Sequence, residues 1–171
     1  MSEEVTETPL DVSLPAWLVM LCRIVAGIGG LVLMAAMLMT VISVTLRTVA
    51  GAPIPGDFEM VELGSAVVIA CFLPWCQVSR GNVLVDFFTS RAGARTNHLL
   101  EAFGDLLYLL IGILLIWRMY HGVTELYGYN EQTMVLRLPV WPSAALMVPA
   151  FLLLIVTTFY TMIGHLKAAR A

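Results

Sequence analysis

The chain alternates long apolar runs with short polar breaks, and the breaks are few enough to lay out the whole architecture. No Asp, Glu, Lys or Arg occurs from Ile24 to Leu46, from Leu63 to Ser79, from Leu106 to Trp117, or from Leu138 to Leu166. A helix needs about 20 apolar residues to cross a hydrocarbon core of roughly 30 Å. The pattern therefore predicts an all-α integral membrane protein with four transmembrane helices. The spans fall at about 17–46, 60–79, 99–123 and 138–166, between an N-terminal tail, 1–16, and a C-terminal tail, 167–171.

The break from Arg47 to Glu62, RTVAGAPIPGDFEMVE, joins the first two spans. Pro53 and Pro55 lack a backbone N–H and cannot continue a helix, so the chain reverses there, next to Gly56. Arg47 then lies at the C-terminal end of span 1, where the helix dipole favours a cation. Asp57, Glu59 and Glu62 lie at the N-terminal end of span 2, where it favours anions. Glu59 and Glu62 are three residues apart and share a helix face, so both are placed to pair with Arg47 across the hairpin.

Small residues mark where helices could approach closely. Ala26 and Gly30 form a small-xxx-small pair on span 1, a spacing that also arises by chance. On span 2, Glu62, Ala66, Ala70 and Pro74 recur every four residues, a narrow stripe that is small below one acid, and Pro74 is expected to kink the helix. The second break, 80–98, surrounds Asp86 with Val83, Leu84, Val85, Phe87 and Phe88, flanked by Arg80, Arg91 and Arg95. It reads either as a short element in the headgroup layer or as a connector with snorkelling arginines. Span 3 carries Glu101 and Asp105 in its first turns, where Arg91 or Arg95 could answer them. Its apolar core closes at Arg118, and a polar loop follows from Tyr120 to Arg137. In span 4, Pro139 and Pro142 are expected to start the helix and Pro149 to bend it.

Trp17, Trp75, Trp117 and Trp141 all lie near a span end, as interfacial anchors do. Arg23, Arg80, Arg91, Arg95, Lys167 and Arg170 fall on the side of the tails and the middle connector. Only Arg47, Arg118 and Arg137 fall on the other. The excess of positive charge predicts both termini in the cytoplasm and the Arg47–Glu62 hairpin outside.

Composition agrees: 60% of the 171 residues are hydrophobic and 12% charged, with a mean hydropathy of +0.89. Soluble domains are about one-quarter charged. The net charge of −3 sits in tails and loops, and no basic patch points to nucleic acid. The N-terminus lacks the basic start of a secretory signal and reads as an uncleaved cytoplasmic tail. Cys22, Cys71 and Cys76 form no C-x-x-C pair and read as small buried hydrophobes.

Chemistry is sparse. There is no phosphate-binding loop, no nucleophile with a base, and no expected cofactor or metal, so the chain does not read as an enzyme. His98 and His165 fall at the inner membrane edge and His121 at the outer, positions at which histidines are usually solvated. Glu59, Glu62, Glu101 and Asp105 are the acids that could lie within the membrane boundary. Ionisable groups there are functional candidates, but helix dipole and a nearby Arg favour structural or interface pairing over ion coupling. Span midplanes without charge suit a helper rather than a carrier.

Four spans with both ends inside carry three ordered motifs. They are an outer R-x5-P-I-P-G-x2-E-x2-E (Arg47, Pro53–Gly56, Glu59, Glu62), an inner G-x-V-x-V-D (Gly81, Val83, Val85, Asp86), and an outer T-x4-L-P-x-W (Thr133, Leu138, Pro139, Trp141) followed by Pro149. From about Trp17 to Lys167 the chain resembles the small membrane subunit of tripartite ATP-independent periplasmic (TRAP) transporters. Asn82 stands where that family commonly has His, which puts any role of the imidazole in doubt here. The resemblance implies a non-carrier subunit of a sodium-coupled secondary transporter in the bacterial inner membrane. Its partners would be a large permease subunit, which holds substrate and sodium and moves like an elevator, and a periplasmic binding protein that delivers an organic acid or related solute. Two other readings stay open: a stand-alone four-helix membrane scaffold, and a small haem or redox membrane protein.

Overall fold

The computed structural model describes residues 14–79 and 94–170. It is all-α, with four helices: α1 (Ala16–Ala50), α2 (Asp57–Val78), α3 (Ala94–Gly128) and α4 (Trp141–Arg170). All four are long and apolar enough to cross a membrane. The possible interfacial element of 80–93, with Asp86, Gly81, Val83 and Val85, lies outside the described residues.

Local chemistry sets the helix ends. The carbonyl of Pro15 accepts the N–H groups of Leu18 and Val19 (2.9 and 3.3 Å), opening α1. Gly51, at φ 71°, closes it in a left-handed conformation that costs a glycine nothing. Arg47 occupies the last turn of α1, and Asp57 and Glu59 the first turn of α2, as the dipole argument expects. Gly56, at φ 76°, precedes Asp57, and a Cβ there would overlap Leu136. Pro74 falls inside α2, Pro142 is the second residue of α4, and Pro149 falls inside α4.

Several boundaries depart from the sequence reading. α3 begins at Ala94, ahead of the expected start near Leu99, so Glu101 and Asp105 do not lie in its first turn, which holds no acid. Pro139 does not start a helix: it sits in an isolated bridge with Gln132 ahead of α4. The polar stretch from Tyr120 does not unwind, and α3 runs through to Gly128 before Asn130 turns at φ 49°. Charge and polarity end a hydrophobic run, but they do not end a helix. The first strong breakers after Arg118 that the chain uses are Gly128 and Asn130.

The helices form a row. α2 lies between α1 and α4, and α4 lies between α2 and α3. α1 touches α4 only briefly, and α3 packs mainly on α4, reaching α2 through Asp105 and the cluster around Ala70. Small residues allow the close approaches. Ala70 of α2 meets Ala150, Phe151 and Leu154 of α4, with Tyr108, Ile116 and Met119 of α3 packed on the same cluster. Gly29 of α1 faces Cys71 of α2, and Gly112 of α3 faces Ile155 of α4. At the other seam, Leu18 and Cys22 pack with Leu153, Val25, Trp75 and Val78. Helices in lipid gain little from hydrophobic transfer and associate through such packing. The end members of the row are the barest: 11% of the apolar window is buried in α1 and α3, against 39% in α4.

Candidate functional site

The two motifs expected on one side of the membrane meet in space. The 129–140 segment is a tight loop. Thr133 N–H donates to the Leu138 carbonyl (2.9 Å), Leu138 N–H donates to Thr133 Oγ1 (3.1 Å), and Val140 N–H donates to the Glu131 carbonyl (3.1 Å). At its tip the N–H groups of Val135 and Leu136 point at one carboxylate. Val135 donates to Glu59 Oε1 (2.7 Å) and Leu136 to Glu59 Oε2 (3.0 Å). Leu136 then seats against Gly56. Trp141 begins α4 with its ring edge-on to Tyr127, centroids 5.6 Å apart.

The hairpin beneath this loop is held from within. Ser43 Oγ donates to Asp57 Oδ2 (2.5 Å) and accepts the Ile54 N–H (3.2 Å), while Asp57 Oδ1 accepts the Phe58 N–H (2.8 Å). A buried hydroxyl on α1 thus fixes the turn built by Pro53, Pro55 and Gly56 and the first residue of α2. Sequence reading placed Asp57 correctly at the helix start but did not find Ser43. Its only signal is a small polar residue one helical turn before Arg47.

Glu59 is engaged differently from the expected ion pair. Its oxygens face main-chain N–H groups of the distant loop, and among the described residues no ion pair joins Arg47 to Glu59 or Glu62. Glu62 is exposed, one turn along α2. Charge pattern within one hairpin pointed to Arg47, but the carboxylate is matched by loop amides that only the tertiary fold brings near.

At the opposite, tail-side end of the helices lies a second polar group, assembled from three of them. Gln77 of α2 donates through Nε2 to Asp105 Oδ1 of α3 (2.8 Å) and to Thr161 Oγ1 of α4 (3.2 Å). His165 Nδ1 of α4 stands 2.8 Å from Glu101 Oε2, and its Nε2 stands 3.9 Å from Asp105 Oδ2. His165 is 6% exposed and Gln77 5%, so this histidine is not the solvated edge residue that its position suggested. Glu101 and Asp105 do share a face one turn apart, as expected. The signal that would have found their partner is the four-residue spacing of Thr157, Thr161 and His165 on span 4, a polar stripe in an otherwise apolar helix.

The remaining expected positions scatter. Trp17 and Trp117 are exposed, at 57% and 61%. Trp75 is half-buried and lies 6.0 Å below the Arg23 guanidinium, at the tail-side end of α1. Ala70 is buried in the α2–α4 contact and Ala66 half-buried beside it. Ala26 is half-buried, whereas open space surrounds Gly30; Gly29 is the residue that meets a neighbouring helix of this chain. Cys22 and Cys71 are buried, but Cys76 is exposed, and all three are free. Among the described residues no three His, Cys, Asp or Glu side chains are grouped to hold a metal ion.

No curated protein and no solved structure matches the chain. A protein family does: residues 36–168 match the DctQ component of tripartite ATP-independent periplasmic transporters. The match takes in the C-terminal part of α1, the hairpin with Glu59, the Thr133–Trp141 loop and the polar group around His165. A multi-pass chain of four span-length helices, matched over most of its length, thus belongs to the DctQ family of TRAP transporter components.

Proposed function

We propose that this chain is the non-carrier membrane subunit of a sodium-coupled, binding-protein-dependent transporter for an organic acid or a related solute. In this reading it lies in the bacterial inner membrane with both termini in the cytoplasm. It packs against the fixed scaffold of a large permease subunit and lends its outer loops to the surface that a periplasmic binding protein meets. The observation that carries the reading is the row of helices. Four spans packed in the order α1, α2, α4, α3 leave broad apolar faces on α1 and α3, which suit a companion to a larger membrane protein better than a closed bundle with a site of its own. Arg47, Glu62 and the Ala26–Gly30 face belong to the contact surface in this proposal. Glu59, Pro53, Pro55 and Gly56 shape it.

Co-expression with a large permease subunit of a TRAP transporter from the same genome is the direct test. The chain should copurify with that permease, and uptake in reconstituted vesicles should require both subunits, the binding protein and a sodium gradient. Uptake at full rate without this chain would overturn the subunit role. Reporter fusions at each terminus and after Arg137 test the orientation; an external N-terminus would reverse it.

A further inference from the structure

Arg118 is the charged residue that the extended α3 carries into the apolar layer. Depth along the helix follows from its contacts. Asp105 is level with the polar group of Gln77 and Thr161, and Tyr127 is level with Trp141 at the start of α4. Those two marks are about 33 Å apart at 1.5 Å per residue, close to the thickness of a hydrocarbon core. Arg118 lies about 20 Å from the first and about 14 Å from the second, near the middle of the slab.

Its direction is also fixed. α3 packs on α4 through Tyr108, Gly112, Ile116 and Met119. Two residues beyond Ile116 is just over half a turn of a helix of 3.6 residues per turn, so Arg118 is turned away from α4. It is exposed there, beside Leu114 and Trp117, which are 59% and 61% exposed. Among the described residues Arg118 has no ion pair and no hydrogen bond. Glu125, on the same face, is about 10 Å further along the axis and is not paired with it.

A guanidinium in hydrocarbon is costly; such residues nearly always face a bundle interior and meet an acid, a carbonyl or water. Here the only interior that can receive it lies outside this chain. The headgroup level is further off than one arginine side chain extends, which disfavours a lipid phosphate. We infer that Arg118 docks against a membrane-spanning helix of the partner subunit that carries an Asp or Glu at the same depth, so that α3, as well as the α1 face, seats on the permease. This rests on the subunit role proposed above. A planar fork of donors suits bidentate contact with a carboxylate, for which lysine is a poor replacement.

The test uses the co-expressed complex, purified through the permease, with Arg118→Leu, Arg118→Lys and Arg118→Glu. The substitutions lie on an exposed face, and Leu favours insertion, so the level of the chain in membranes should hold. Loss of one partner of a desolvated charge pair weakens association strongly. The fraction retained on the permease should fall at least about tenfold for Leu and further for Glu, with Lys between wild type and Leu. Changing each intramembrane carboxylate of the permease to Arg in turn should reveal one that restores retention of Arg118→Glu. Full retention of Arg118→Leu and Arg118→Glu would overturn the inference. So would retention that depends only on phosphatidylglycerol in the nanodisc, which would assign Arg118 to lipid. Failure of the wild-type chain to copurify would instead overturn the subunit role itself.

Discussion

Both oxygens of Glu59 accept main-chain N–H groups, so the residue acts as a clasp between the start of α2 and a loop more than seventy positions away. An amide cannot do the same: in Glu59→Gln one of the two N–H groups would face the Gln nitrogen, which is itself a donor. Glu59→Ala should lower the thermal stability of the assembled complex and speed proteolysis at 129–140. Glu59→Gln should fall between, with the sodium dependence of uptake unchanged in both. Loss of sodium coupling in an assembled Glu59→Gln complex would place this carboxylate in the transport mechanism instead. At the tail-side end of the helices, His165 stands between Glu101 and Asp105 with little exposure. His165→Leu leaves those carboxylates without it and should cost about 3–5 kcal/mol in stability. Removing the acids as well, in His165→Leu with Glu101→Gln and Asp105→Asn, should recover part of the loss, as a detergent-based melting series would measure. The acids at the start of α2 were legible in the sequence, because dipole and spacing act within a few residues; Glu101 and Asp105, expected in the first turns of their helix, lie beyond the first turn of α3, which begins at Ala94 and holds no acid there. Their partners were not, because Val135, Leu136 and His165 reach them only across the fold.

Helix existence was readable throughout, since uninterrupted apolar runs leave no alternative in a membrane. Helix ends were less so. Gly51 and Gly56 mark α1 and α2 as turn chemistry would predict, whereas α3 outran its apolar core by the whole stretch from Arg118 to Gly128. Treating Arg118 as a boundary hid its depth, and with it the one charge near the middle of the layer. Packing detail was hidden too: a small-xxx-small search selects Ala26 with Gly30, but the helix turns Gly29 toward α2. A Cβ on Gly29 would stand 2.8 Å from that of Cys71, closer than real Cβ atoms come. Gly29→Ala should therefore force α1 and α2 apart and cost about 1–3 kcal/mol, as overpacking does. Gly30→Ala, with open space around it, should leave the melting of the isolated chain unchanged and report only on assembly. Equal effects of the two substitutions would mean that the α1–α2 seam is not as close as described.

Across the whole molecule, the middle of the row is packed on two sides and the ends on one. Family membership and the apolar layout were within reach of the sequence, because composition and motif order survive without coordinates. Which helix sits beside which was not, since all four spans are similar in length and character. The order of packing has a mechanical consequence. The two end helices are tied to each other only through the helices between them, so the row can flex at its seams more easily than it can stretch. α1 and α3 share no contact that would hold their separation. The curvature of the row is then set by the surface it lies on. Spin labels at Ile28 on α1 and Ile113 on α3, both exposed, should give a broad distance distribution for the chain alone and a narrow one once the large subunit is bound. An equally narrow distribution in both states would mean that the row is rigid by itself and brings its own shape to the complex.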